Sequence, residues 1–383
     1  MLTRRLTRRA LVASGVLASS GMAAEVSRPA ATARIRTQSA ASLPESTIWP
    51  SDPAYEEARR TFNLRLSRYP VAITYCPTPD DVSRSILWSR QNDVPLSIRS
   101  GGHGYEGYAV LDDALVIDLS EMNQIEVDLE QGTATVGAGV RLIDLYRRLW
   151  DYGMTVPAGT CPGVGIAGLT LGGGIGFLSR QFGLTCDNLL SVELVAADGS
   201  LVRTSRDEQP DLFWALRGGG GGNFGVVTSF TFLLTPIAEV TTVTISWPWD
   251  DAAAILAAWQ DTAPGVDDRL TLGLTIGPPS DGTITMYGLL NAPSSLLRPL
   301  LEPLLAAGSP YDPIITTVPF IAAAEQLDAV AGEATQVEVA EAGVRLNDAD
   351  SRCDIAHGHV ECVERVRRER VAECLDDAEF GAA

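Results

Sequence analysis

Arg99-Ser-Gly-Gly-His-Gly104, Gly159-Thr-Cys-Pro-Gly-Val-Gly-Ile-Ala-Gly-Leu-Thr-Leu-Gly-Gly-Gly-Ile-Gly176 and Leu216-Arg-Gly-Gly-Gly-Gly-Gly-Asn-Phe-Gly-Val-Val227 are the stretches on which the fold turns. Successive glycines let backbone N–H groups converge on one concavity and let a ligand come close to the main chain, which suits a pyrophosphate. The first stretch leaves a strand-like run, Pro95-Leu-Ser-Ile-Arg99, but no helix with the third glycine of the nicotinamide-dinucleotide fingerprint follows. Alone, it reads equally well as a tight turn that contains a histidine. Three such loops in one domain imply a long, flat, phosphate-bearing ligand, and a large dinucleotide cofactor meets that description.

Outward from the loops, strand and helix patterns alternate. Residues 53–65 have helical spacing; Val71-Ala-Ile-Thr-Tyr-Cys76 is β-rich; Asp80 and Asp81 are placed to cap a helix reaching Arg90; and residues 95–99 close a β-α-β unit. Strands are expected at 114–119, 124–128 and 133–137, a helix at 141–150, and a hairpin from Ser191 with Asp198-Gly199 at its turn. From Val240 the texture changes to Thr-rich strands, 270–276 and 283–287, between proline-punctuated helices. The reading is an α+β protein: residues 68–238 form the ligand-binding domain, preceded by a linker and helix at 34–67, and 239–343 form a second, partial domain.

Composition removes several chemistries. The chain of 383 residues contains no lysine, so pyridoxal-phosphate Schiff bases and the P-loop are excluded. His103 is the one histidine before His357 and His359, so any histidine chemistry in the main body uses it. The formal net charge is −19, although the first 36 residues carry seven arginines against one acid, Glu25. So acidic a surface repels phosphate backbones and anionic lipid, which argues against nucleic-acid or membrane partners and favours a neutral or cationic small molecule.

Both ends stand apart. Arg4-Arg5 and Thr7-Arg8-Arg9 lead into Ala10-Leu-Val-Ala-Ser-Gly-Val-Leu-Ala18 and then small residues, a pattern of twin-arginine export over residues 1–33 that predicts a secreted or extracytoplasmic protein. Residues 344–383 read as an atypical tail, disordered or frame-shifted, with a dense run of charge from Glu364 to Arg370. Its Cys353, His357, His359 and Cys362 match no familiar zinc spacing, so no metal is expected.

The strand-Arg-Ser-Gly-Gly-His loop, Gly159-Thr-Cys-Pro162, Gly168-Leu-Thr-Leu-Gly-Gly-Gly174 and Asp187-Asn-Leu189 together resemble the FAD-linked oxidases of the vanillyl-alcohol-oxidase (PCMH-type FAD-binding) fold, in their berberine-bridge-enzyme-like and oligosaccharide-oxidase branch. The resemblance runs over residues 71–236 and implies an FAD-binding domain of two subdomains followed by a substrate domain. It implies that His103 bonds to the flavin 8α carbon and Cys161 to C6. These carbons share one edge of the ring, and imidazole and thiolate are the side chains able to add there. A branch of the family uses only the histidine, and on its own Cys161 reads also as a structural thiol.

The resemblance also implies a cofactor cradle of Arg99, Ser100, Gly101, Gly102, Gly104, Gly165, Gly168, Gly172, Gly173, Gly174, Gly225 and Val227, a substrate-side Tyr105 as candidate catalytic residue, and a small residue, Val164, that admits oxygen to the flavin. Two features depart from the family. Leu169 stands where many relatives have a histidine near flavin N1, and the Asn-Tyr-x-Asn segment that often supplies the base is not found. Cys76 and Cys186 lack the Gly-Thr-Cys-Pro context and read as packing residues. The expected activity is oxidation of an alcohol, sugar or secondary metabolite by hydride transfer to flavin N5, with oxygen as acceptor and peroxide as product. A dehydrogenase using another acceptor and a silent flavin-binding remnant are the alternatives.

Overall fold

Strand Leu115–Asp118 is buried along its whole length, and its apolar residues show why: it is the inner strand of a sheet covered on both faces. In the computed structural model, which describes residues 42–326, it lies between Ala72–Tyr75 and Leu96–Arg99 and is parallel to both. Thr47–Ile48 adds an antiparallel edge. The helix Pro79–Asn92 crosses between the first two parallel strands and buries Val82, Ile86 and Trp88. Its N-cap is Thr78, and of the two aspartates only Asp81 shares in the capping: the Thr78 hydroxyl accepts from Asp81 N–H while the Asp81 carboxylate accepts from Thr78 N–H, with Pro79 preset for the first turn.

The helical spacing of residues 53–65 yields only one turn, Tyr55–Ala58. Beyond it the chain is drawn into irregular structure because the Ala58 and Arg60 carbonyls accept from the Arg99 guanidinium and Phe62 N–H donates to Gly102 O. Tertiary hydrogen bonds outweigh the local preference there.

A second sheet is antiparallel, in the order Ile125–Asp128, Thr133–Gly137, Val226–Leu233, Leu189–Val195, Leu201–Ser205. The last two strands form the expected hairpin, with Gly199 at φ +85° where a side chain would be strained. Ala134, Val136, Phe230 and Phe232 point inward and pack with helix Leu142–Trp150 and with Ile166 in the largest core. The third sheet is also antiparallel, in the order Leu270–Ile276, Thr283–Leu290, Glu239–Pro248, Ile314–Pro319. Alternation decides its faces: Val243, Ile245 and Trp247 pack with residues of helices Ala252–Thr262 and Leu297–Leu305, whereas Val240 and Leu289 join the first core. The α+β reading holds: among the described residues two larger sheets and the two-stranded pairing of Met154–Thr155 with Thr235–Pro236 lie up to Pro236, and one sheet lies after it.

The residues read as an export signal, and those from 327 onward with the cysteines and histidines of the tail, lie outside the described residues. Among the described residues no helix is long and apolar enough to cross a membrane. Thr78→Ala removes one half of the capping box and is expected to lower stability by about 1 kcal/mol, to be read as a shift of the denaturant midpoint at unchanged slope.

Candidate cofactor site

The three glycine loops meet one another. A Cβ added to Gly101 would lie 2.2 Å from Gly165 N, and one added to Gly165 would lie 2.2 Å from Ser100 Oγ, so the first and second loops touch main chain to main chain. Gly220 N–H donates to Leu171 O at 2.8 Å, tying the third loop to the second, and Gly222 sits against Ile98 in the strand that feeds the first. The third loop is held from below as well: Arg217 donates to Cys186 O at 2.8 Å and pairs with Asp187 at 3.1 Å.

His103 and Cys161 are brought into this junction. The His103 Nε2 atom is 2.8 Å from where a Gly163 Cβ would stand, two residues past Cys161. Phe62 stacks on the imidazole with centroids 4.0 Å apart and planes 19° apart, and meets the Tyr105 ring edge-on at 5.9 Å. Asn63 Nδ2 donates to Tyr105 O at 3.0 Å. Phe62 and Asn63 therefore brace both candidate residues of the first loop. They escape a reading of the sequence because they lie far up the chain with no motif around them. Burial raises the Tyr105 phenol above its usual range, and the nearby Cys161 charge raises it further, so Tyr105 is a neutral hydrogen-bond donor at pH 7.

Arg99 takes a different place from the loop surface. Its buried guanidinium pairs with Asp118 and donates to Ala58 O at 2.6 Å and Arg60 O at 3.2 Å, so it anchors the loop rather than facing into it. Ser100 Oγ donates to Ala138 O at 2.7 Å. Val227 belongs to the second sheet and is buried, and Gly225, at φ +139°, directly precedes its strand, where an added Cβ would lie 2.7 Å from Val195 O. Leu169 packs its side chain on Gly159. Cys76 and Cys186, read as packing residues, are buried and carry free thiols, and burial pushes the Cys76 thiol up to about 11.

Whether a flat dinucleotide fits can be judged from the empty side of each loop. Outside its chain neighbours and, for Gly168, the backbone of its own helix, a Cβ at Gly104, Gly168 or Gly218 would meet no atom within 4 Å, one open position in each of the three glycine stretches, while Ile175 in the second stretch is 76% exposed. Bare main chain flanked by an exposed apolar side chain suits phosphates and an aromatic ring system. Among the described residues no group of His, Cys, Asp and Glu could hold a metal ion.

Such a cradle on an α+β scaffold defines a dinucleotide-cofactor protein. Residues 70–205 match the FAD binding domain family. The chain belongs to the FAD-linked oxidases that include berberine-bridge-enzyme-like, oligosaccharide-oxidase and 6-hydroxynicotine-oxidase proteins. It is 46% identical over 289 residues to the FAD-linked oxidoreductase YgaK of Bacillus subtilis, covering 74% of this chain and 64% of YgaK. It superposes on 6-hydroxy-D-nicotine oxidase from Arthrobacter nicotinovorans with a TM-score of 0.72 at 30% identity, covering 76% of this chain and 65% of that one. An Acremonium strictum glucooligosaccharide oxidase whose structure revealed a novel flavinylation superposes with a TM-score of 0.68 at 30% identity, covering 74% and 60%. The chain thus spans a little under two thirds of the length of these relatives.

Two substitutions separate loop closure from cofactor space. Gly101→Ala forces its Cβ onto Gly165 N and should lower the melting temperature and abolish FAD binding together. Gly104→Ala meets no protein atom, so it should leave the melting temperature of the FAD-free protein unchanged and weaken FAD binding, read by flavin fluorescence titration. Asp118→Asn removes the partner of a buried guanidinium and should cost about 3–5 kcal/mol, measured by denaturant unfolding.

Proposed function

We propose that the chain carries FAD through two covalent bonds, from His103 and Cys161, and oxidises a hydroxyl-bearing small molecule with dioxygen as electron acceptor. The observation that carries this reading is the seating of the His103 imidazole against Gly163, in loops locked by the Gly101–Gly165 contact. Two nucleophiles of the right kinds are thereby held at one junction. On this reading residues 68–238 are the FAD-binding domain and residues 239–343 a partial substrate domain. Ser100, Gly101, Gly102, Gly104, Gly165, Gly168 and Gly172–Gly174 would hold the cofactor by main chain, with Arg99 acting through its anchor. Held there, FAD would supply a two-electron acceptor for the hydride of a carbinol carbon, with dioxygen as the terminal acceptor and hydrogen peroxide as the product.

The protein's own contribution is orientation and hydrogen bonding. Tyr105, neutral and braced by Phe62 and Asn63, donates to the substrate oxygen and aligns the C–H bond; the raised phenol argues against its acting as the base at neutral pH. Its Cys161 contribution vanishes once the sulfur is a thioether, leaving burial as the cause. Val164 leaves room for dioxygen. With Leu169 turned onto Gly159, negative charge on the reduced ring is met by main-chain N–H groups rather than by a side chain. The arginine-rich start of the sequence supports export across the cytoplasmic membrane.

After acid precipitation the yellow chromophore is expected to stay with the polypeptide. His103→Ala and Cys161→Ala should each retain one linkage and the double variant none; release of all flavin from the parent would overturn covalent attachment. For turnover, anaerobic mixing with a panel of neutral sugars and alcohols should bleach the flavin, and admitting oxygen should release stoichiometric peroxide. Tyr105→Phe should slow the bleaching by about tenfold, the scale of one lost hydrogen bond in a dry site. Bleaching without peroxide would instead mark a dehydrogenase.

A further inference from the structure

Cys161 lies on a short span of chain strapped at both ends to a single helix. Downstream, the first residues of helix Leu142–Trp150 donate main-chain N–H groups to the loop: Ile143 to Pro162 O at 3.1 Å and Leu142 to Val164 O at 3.0 Å. Upstream, one turn along the same helix, the Tyr146 hydroxyl donates to Gly159 O at 2.6 Å. The downstream straps are main chain and hold whatever the side chains are, whereas the upstream strap is a single phenol. Its ring is buried, meets Phe320 edge-on at 5.5 Å, and borders a small cavity shared with Thr160, Phe177 and Leu289.

We propose that Tyr146 is a positioning residue for attachment of the flavin at Cys161: its bond to Gly159 sets the register of Thr160–Cys161 so that the thiol meets the ring carbon while the ring is held by His103. The inference rests on the reading of Cys161 as an attachment site. Burial, and secondarily the neighbouring Cys161 charge, keep the phenol protonated, so it acts as a donor throughout the neutral range. In the bond-forming step the Cys161 thiol loses its proton to solvent and its sulfur bonds to C6. The hydrogen on C6 leaves as a proton, and the two electrons reduce the flavin, from which dioxygen removes them as hydrogen peroxide. Tyr146 exchanges no atom in that sequence. Without its strap the upstream end of the span is free to move, and the sulfur spends less time within reach.

The test is flavin bookkeeping by residue. FAD-loaded parent, Tyr146→Phe and Phe320→Leu proteins are acid-precipitated and digested, and flavin on the peptides bearing residues 103 and 161 is measured by mass spectrometry as a function of time after FAD addition. Tyr146→Phe should attach flavin at Cys161 roughly fivefold to tenfold more slowly, keep the His103 linkage at the parent rate, and melt within a few degrees of the parent. Phe320→Leu, which loosens the same ring but keeps the hydroxyl, should attach at both sites like the parent. Equal attachment at Cys161 in parent and Tyr146→Phe overturns the proposal. So does a loss at both sites, or an equal loss in Phe320→Leu, because either marks a packing role. A parent protein with no flavin on the residue 161 peptide refutes instead the reading of Cys161 on which the proposal stands.

Discussion

Two glycines in van der Waals contact through their main chains, Gly101 and Gly165, are the constraint from which the site follows. With no room for a Cβ on either residue, the loop that leaves the parallel sheet and the loop that precedes helix Ile166–Leu171 close to a distance no other pair of residues permits. That closure seats His103 against Gly163. It also leaves Gly104 and, in the first turn of that helix, Gly168 facing open space, so contact and emptiness alternate along the same glycine-rich stretches. A cofactor with phosphates at one end and an aromatic ring at the other suits a surface of that texture.

Charge is used sparingly around this junction. The guanidinium of Arg99 is spent on Asp118 and on the carbonyls of Ala58 and Arg60, and Asp118 in turn accepts from Ser120. A buried pair of this kind adds little net stability against an apolar substitute, but it punishes any change that leaves one partner alone. Its value here is geometric, since it joins the segment before Phe62 to the strand under the first loop. Phe62 and Asn63 then reach His103 and Tyr105 from that fixed base.

The third sheet is fastened to the cofactor side at two places. Arg180 donates to Val266 O at 2.7 Å and Gln181 accepts from Asn291 at 2.9 Å, while Arg147 pairs with Glu325 at 2.9 Å on the other flank. Between them Phe177 meets Tyr287 edge-on at 6.0 Å. The exposed side of the sheet carries Thr244 and Tyr287, with Thr242, Ser246 and Thr285 partly accessible, and two of its hydroxyls bond to each other, Ser246 to Thr285 at 2.9 Å. Polar, uncharged side chains at these positions are compatible with the neutral member of the neutral or cationic small molecules that the acidity of the whole chain favours.

The alternation of Ala134 and Val136, the apolar run ending at Asp118, the Asp198-Gly199 turn and the glycine loops were all legible from residue order, because each is a local preference of the backbone or a period of two or 3.6. The helix read over residues 53–65 and the Asp80 half of the capping read for Asp80 and Asp81 were not, since hydrogen bonds from Arg99, the bond from Phe62 N–H to Gly102 O and the hydroxyl of Thr78 decided them. The residues that could carry chemistry, His103, Tyr105 and Cys161, were therefore visible in the sequence by itself, together with the class of ligand their glycine-rich setting admits. Which residues hold them was decided only by the tertiary structure: Phe62 on the imidazole, Tyr146 on the Gly159 carbonyl, Asp118 on Arg99. Those contacts join segments distant in the chain, and burial of the core, not any local pattern, brings them together.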